Sequence, residues 1–164
     1  MIFMKKSIAK ALNEQVIFEF NSAYLYLALS LAMADESFKG FSAWLRLQYQ
    51  EEMEHAFKFI DYLESRDEKT TLGDIKAQAI DIKDPLKVAE AVYKHEQVIT
   101  EKINDLYAMA MDEKDFATMN FLNWFVNEQV EEEESARNLV DEFKFAGDSR
   151  ASQLFVDARL GKRQ

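Results

Sequence analysis

Apolar residues recur at steps of three and four along most of the chain, the spacing of helices that bury one face. The stripe Ile8, Leu12, Val16, Glu19, Ala23, Tyr26, Ser30 predicts a first helix from about Met4 to Met33. Phe41, Leu45, Gln48, Glu52, His55, Phe59 and Leu63 predict a second from Lys39 to Ser65. Ala89, Val92, Glu96, Ile99, Ile103 and Leu106 predict a third from Pro85 to Met111, with Asp84 as its N-cap and Pro85 at its first position. Met119, Leu122, Phe125, Gln129, Glu132, Ala136, Leu139 and Phe143 predict a fourth from Asp115 to Ala146, stopped by Gly147. A short fifth, Ser149 to Leu160, carries Leu154, Phe155, Ala158 and Leu160.

The connectors set the topology. The first and second helices are joined by the short segment Ala34 to Phe38, and the third and fourth by only a few residues, so each pair should be an antiparallel hairpin. The stretch Arg66–Lys83 has no helical stripe and is long enough to cross over the length of a bundle. Helices of this size would be about 40–48 Å long. The fold class is therefore all-α, a single four-helix-bundle domain spanning 1–164 with a long crossover between its second and third helices.

Composition agrees with few, long helices: Gly (4) and Pro (1) are too scarce for a turn-rich fold. The absence of cysteine excludes disulfides, thiolate metal sites and thiol nucleophiles, and fits a cytoplasmic protein. A net charge of -10 argues against nucleic acid and anionic lipid as partners and favours cations. The N-terminus lacks a signal-peptide run, and no stretch is expected to be long enough to span a membrane.

What interrupts the apolar stripes carries the chemistry. Each long helix has a carboxylate near the middle of the face it should bury: Glu19, Glu52, Glu96 and Glu132. One buried, ionised carboxylate costs several kcal/mol, so four in one layer call for cations. Two divalent ions supply the four compensating charges. Glu52-x-x-His55 puts a carboxylate and an imidazole one turn apart on one face, where both can hold the same ion. Oxygen ligands with one imidazole suit Fe(II) or Mn(II) better than structural zinc.

Four blocks in order, Leu12–Leu27, Glu51–Leu63, Tyr93–Asn104 and Asn120–Glu133, resemble the non-haem prokaryotic ferritins over nearly the whole chain. The ligand layout matches the pattern known for ferritin-like di-iron bundles. The resemblance implies that Glu19 and His55 hold one iron, Glu52 bridges two, and Glu96 and Glu132 hold the second with Gln129 beside it. It implies Tyr26 and Trp124 near the centre as electron donors, and a third, more exposed site formed by Glu51, Glu128 and Glu131. It also implies Fe(II) oxidation by O2 or H2O2, storage of Fe(III) mineral, and a homo-oligomeric shell of twenty-four subunits. The short fifth helix would pack at a symmetry axis of that shell.

Ser135, three residues after Glu132, replaces the His that bacterioferritins carry there, and Met53 alone does not imply haem. Haem is therefore not expected. The other activity open to such a centre is that of a di-iron oxidase or peroxidase of the rubrerythrin or bacterioferritin type, without mineral storage. His95, about 100° off the stripe of the third helix, is expected at the surface or in a subunit contact, and not as a ligand.

Overall fold

A computed structural model describes residues 3–163. Its elements are α1 (Lys6–Asp35), α2 (Lys39–Ser65), α3 (Pro85–Asp112), α4 (Phe116–Ala146) and α5 (Arg150–Leu160), with no strand among the described residues. The ends differ from the periodicity reading by a residue or two. Asp84 caps α3 as expected, accepting from Leu86 N at 2.9 Å with Pro85 at the first position. Asp115 and Ser149 are N-caps and not helical residues, accepting from Thr118 N and Ser152 N.

The C-termini of α1, α2 and α3 share one device. Ser37, Asp67 and Lys114 adopt φ of 66°, 58° and 54°. The N–H of each following residue reaches back five positions: Phe38 to Met33 O, Glu68 to Leu63 O, Asp115 to Ala110 O, all at 2.9 Å. This is the Schellman closure, here built without glycine. After α1 it folds Phe38 and Met33 together into the core, which turns the chain back into α2.

The crossover runs along α1. Asn13 accepts from Thr71 N and Asn21 accepts from Lys76 N, both at 2.8 Å, so the side chains of α1 satisfy the backbone of an otherwise irregular strap. The strap ends with Ile80 and Ile82 against the core and delivers the chain to the start of α3. The hairpins α1–α2 and α3–α4 therefore lie against each other, as the connector lengths predict.

The core is two apolar clusters. One contains Met33, Phe38, Phe41, Leu45, Val92 and Phe143; the other contains Ile8, Leu12, Phe59, Leu63, Ile103 and Leu122. Between them lies the polar layer of Glu19, Gln48, Glu52, His55, Glu96, Gln129 and Glu132, all buried.

Two expectations change. The fifth helix is not left for a symmetry axis alone. Val156 and Leu160 enter the core, and Asp157 Oδ1 accepts from Phe41 N at 2.7 Å in the first turn of α2. Gly40 makes this possible, because a Cβ there would stand 1.8 Å from the Asp157 carbonyl oxygen. Leu154, Phe155 and Ala158, also on the apolar side of α5, remain outward. Second, α1 is long and apolar enough by composition to cross a membrane. The cause is that α1 is apolar on more than its core face: Tyr24 and Leu31 are exposed while Glu19 on the opposite side is fully buried.

Candidate metal centre

The layer is assembled from one short segment of each long helix. Glu19 comes from the middle of α1 and Tyr26 from two turns further on. Glu52 and His55 lie one turn apart on α2, Glu96 lies on α3, and Gln129 and Glu132 lie on α4. Ligand atoms of Glu19, Glu52 and His55 lie within 4.8 Å of one another. His55 Nδ1 is 3.3 Å from Glu52 Oε2, and its ring is walled by Phe125 and Trp124 at 5.8 and 5.5 Å between centroids.

Glu19 shows most plainly that the layer lacks compensation from protein groups alone. Its Oε1 accepts from Gln15 Nε2 at 2.7 Å, but its Oε2 is buried without a partner among the described residues. A bare carboxylate oxygen in a dry core costs several kcal/mol unless a proton or a cation takes it up. Burial pushes the Glu19 and Glu52 carboxyls well above the usual carboxylate range; Glu52 adds to the first shift and Glu96 to the second.

Glu96 and Glu132 form the other half. The Tyr26 hydroxyl donates to Glu96 Oε1, and Gln129 Nε2 donates to Glu96 Oε2 at 3.1 Å. Gln48 Nε2 donates to Glu132 Oε2 at 3.1 Å. Burial pushes both carboxyls up to about 7, against the hydrogen bonds that favour their charged forms. Burial and the nearby carboxylates, Glu96 foremost, raise the Tyr26 hydroxyl well above its ordinary range, so it remains a proton donor.

Four carboxylates and one imidazole, each deprived of water, form a donor set for hard divalent cations that offers several oxygens and one nitrogen. Such ions bind in competition with the protons that burial retains.

A ferritin-like domain model matches residues 9–146. The chain is 40% identical to the bacterial non-heme ferritin of Bacteroides fragilis (strain 638R), covering 98% of this chain and 99% of that one. It is 35% identical to the bacterial non-heme ferritin of Escherichia coli O6:H1, covering 96% and 95%. This chain belongs to the ferritin family. An open-pore ferritin from the archaeon Archaeoglobus fulgidus superposes with a TM-score of 0.96 at 42% identity, covering 98% of this chain and 99% of that one. Iron storage is the function that membership carries.

Other residues singled out in the sequence stand around this ferritin's centre. Glu51 is taken up by Arg163, whose Nη2 lies 2.7 Å from Oε1. Glu128 is half-buried and Glu131 exposed, both outside the buried layer, where no more than an exposed third position was expected of them. Trp124 touches the His55 ring but is 41% exposed, with Lys58 Nζ 4.6 Å from its ring centre, so it lies on the rim. His95 is half-buried against α1 instead of exposed. Its Nε2 pairs with Ser22 Oγ at 2.8 Å, its ring stacks on Phe18, and burial lowers its pKa to about 4. The helical-wheel angle failed there because α1 covers that side of α3. Sequence reasoning gave no role to Gln15, Arg163 or Gln48, although Gln48 stood on the buried stripe of α2. The two glutamines each stand four residues before a layer glutamate, a signal that was legible; Arg163 left none.

Proposed function

We propose that the subunit binds two Fe(II) in the buried layer, oxidises them with O2 or H2O2, and passes Fe(III) to a mineral held inside a shell of twenty-four copies. The carrying observation is the layer itself: four carboxylates sealed in a core, one with an orphaned oxygen, and three ligand groups already within 4.8 Å. Glu19, Glu52 and His55 hold the first iron. Glu52 reaches the second, held also by Glu96 and Glu132 with Gln129 alongside. Each Fe(II) gives up one electron, so a pair delivers two to one oxidant molecule. Carboxylate oxygens favour the harder Fe(III), which drives the step. Tyr26, bonded to Glu96, serves as a further electron donor. Glu51, Glu128 and Glu131 offer a weaker third position, for which a cation must displace Arg163 from Glu51.

A subunit of a cage should expose apolar side chains for its neighbours to cover. Phe145, Phe155, Phe116 and Leu72 are 97%, 77%, 71% and 67% exposed, which supports assembly. Cytoplasmic placement is part of the same proposal and rests on the lack of cysteine. A di-iron oxidase or peroxidase without storage is not favoured: the relatives are non-heme ferritins over nearly the whole length, and Ser135 denies α4 a second Glu-x-x-His.

The test is anaerobic Fe(II) titration followed by air, with native mass and electron microscopy before and after loading. Two tight Fe(II) per subunit, rapid oxidation, and a particle whose mass rises by many more irons than subunits are expected. Oxidation no faster than in buffer, or a mass that stops at two irons per subunit, would refute the reading.

A further inference from the structure

The turn after α5 brings a cation to the edge of the buried layer. Lys162 N bonds Arg159 O at 3.1 Å and Arg163 N bonds Leu160 O at 3.2 Å, so the backbone at Arg163 is held by the helix end. The helix itself is fixed by Asp157 on the first turn of α2 and by Arg159, which grips Glu142 of α4 at 2.8 and 2.7 Å. From there the guanidinium reaches α2. Nη2 donates to both oxygens of Glu51, at 2.7 and 3.1 Å, while Nη1 donates to Gln48 Oε1. The guanidinium carbon lies 5.4 Å from the Trp44 ring centre.

Gln48 is 1% exposed, and its other end, Nε2, donates to Glu132 Oε2 at 3.1 Å. A guanidinium has only donors and a carboxylate only acceptors, so an amide between them fits in one orientation: oxygen to Arg163, nitrogen to Glu132. Shut away from water, the amide bonds only these two groups among the described residues. Arg163 thus fixes Gln48, and Gln48 pins one oxygen of Glu132, leaving the other free to face a cation.

We propose that Arg163 is a positioning residue for Glu132, acting through Gln48, and so sets the affinity of the second cation position. This rests on the two-iron reading above. Without the guanidinium, Gln48 Oε1 loses its donor, the amide can turn, and Glu132 must be ordered at the moment of binding.

The test uses Zn(II), which has no redox chemistry, titrated by calorimetry into the metal-free assembled protein. In 0.5 M NaCl the screening length is about 4 Å, which weakens the part of the direct charge effect of Arg163 that passes through solvent; the Gln48 variants below separate the rest. Arg163→Met keeps the stem over Trp44 and removes the fork. The second Zn(II) is expected to bind about five- to tenfold more weakly, the worth of one hydrogen bond to a charged network, and the first within about twofold of wild type. Gln48→Leu should reproduce the loss, and adding Arg163→Met to it should change little, because both act through one chain of bonds. Arg163→Lys, which can still donate to Gln48, should recover much of the affinity. An unchanged second constant in Arg163→Met overturns the proposal. So do additive losses in the double variant, or equal weakening of both positions, which marks a loosened bundle. If wild type itself binds fewer than two Zn(II) per subunit, the two-iron reading fails first and takes this proposal with it.

Discussion

Consider Glu132→Gln in protein stripped of metal. The Glu132 carboxyl is 8% exposed and burial raises it from 4.5 to about 7 in the fold. A group whose folded-state pKa lies above its unfolded value holds its proton more tightly when folded. Its contribution to stability is complete below pH 4.5 and is lost as pH rises through about 7. That rise corresponds to about 3 kcal/mol by pH 8. Glutamine keeps the shape and never ionises. The variant should therefore match wild type near pH 4.5 and exceed it by up to about 3 kcal/mol at pH 8. For a chain of this size that is a Tm difference of about 6–12 °C. Thermal unfolding followed by circular dichroism in excess chelator, at one protein concentration and several pH values, reads the difference directly. With saturating Zn(II) the order should reverse, because the variant has lost a ligand and with it part of the stabilisation that binding supplies. A Tm difference that stays flat from pH 4.5 to 8 would show that Glu132 is not charged at a cost, and the argument from buried carboxylates to cations would fail with it.

Other substitutions test separate parts of the structure. Glu52→Ala should slow rapid Fe(II) oxidation by about a hundredfold or more while far-UV circular dichroism stays native, since the residue would touch both ions; wild-type kinetics would rule out a bridging role. Glu128→Ala with Glu131→Ala should leave two tight Fe(II) per subunit but change the Fe(II) oxidised per O2 and the rate at which the centre regenerates; oxygen uptake identical to wild type would reduce those glutamates to a solvated face. Gly40→Ala should push α5 off α2, costing about 1–3 kcal/mol and weakening the cage on native mass analysis, because its Cβ would meet the Asp157 carbonyl at 1.8 Å. An unaltered melting temperature there would mean that α5 is not held as described.

Four long helices and the layer were legible because both depend on local periodicity, and the crossover because that periodicity lapses over a long stretch. Glu19, Glu52, Glu96 and Glu132 announce themselves as interruptions in apolar stripes, and a stripe is readable from one helix at a time. The Schellman turns were not, since Ser37, Asp67 and Lys114 lack the usual glycine and take positive φ only because the next residue is pulled back toward the helix. The docking of α5 depends on Gly40 giving room for Asp157 to reach Phe41, a bond across 116 residues, and the grip of Arg163 on Gln48 spans 115. No window along the chain contains both ends of such a contact. His95 was misread for a related reason: a helical wheel knows one helix, and the neighbour that buries His95 is another.

The polar layer also decides how the two hairpins fit together. Apolar faces can slide past each other by a turn at small cost, because one leucine packs nearly as well as the next. Here Tyr26 of α1 must meet Glu96 of α3, and Gln48 of α2 must meet Glu132 of α4, two bonds from one hairpin to the other at the same height. A slip of one turn, about 5.4 Å, would break both and leave buried carboxylates facing leucine and phenylalanine. The layer thus works as a key cut across a smooth shaft, penalising every register but one before any ion arrives.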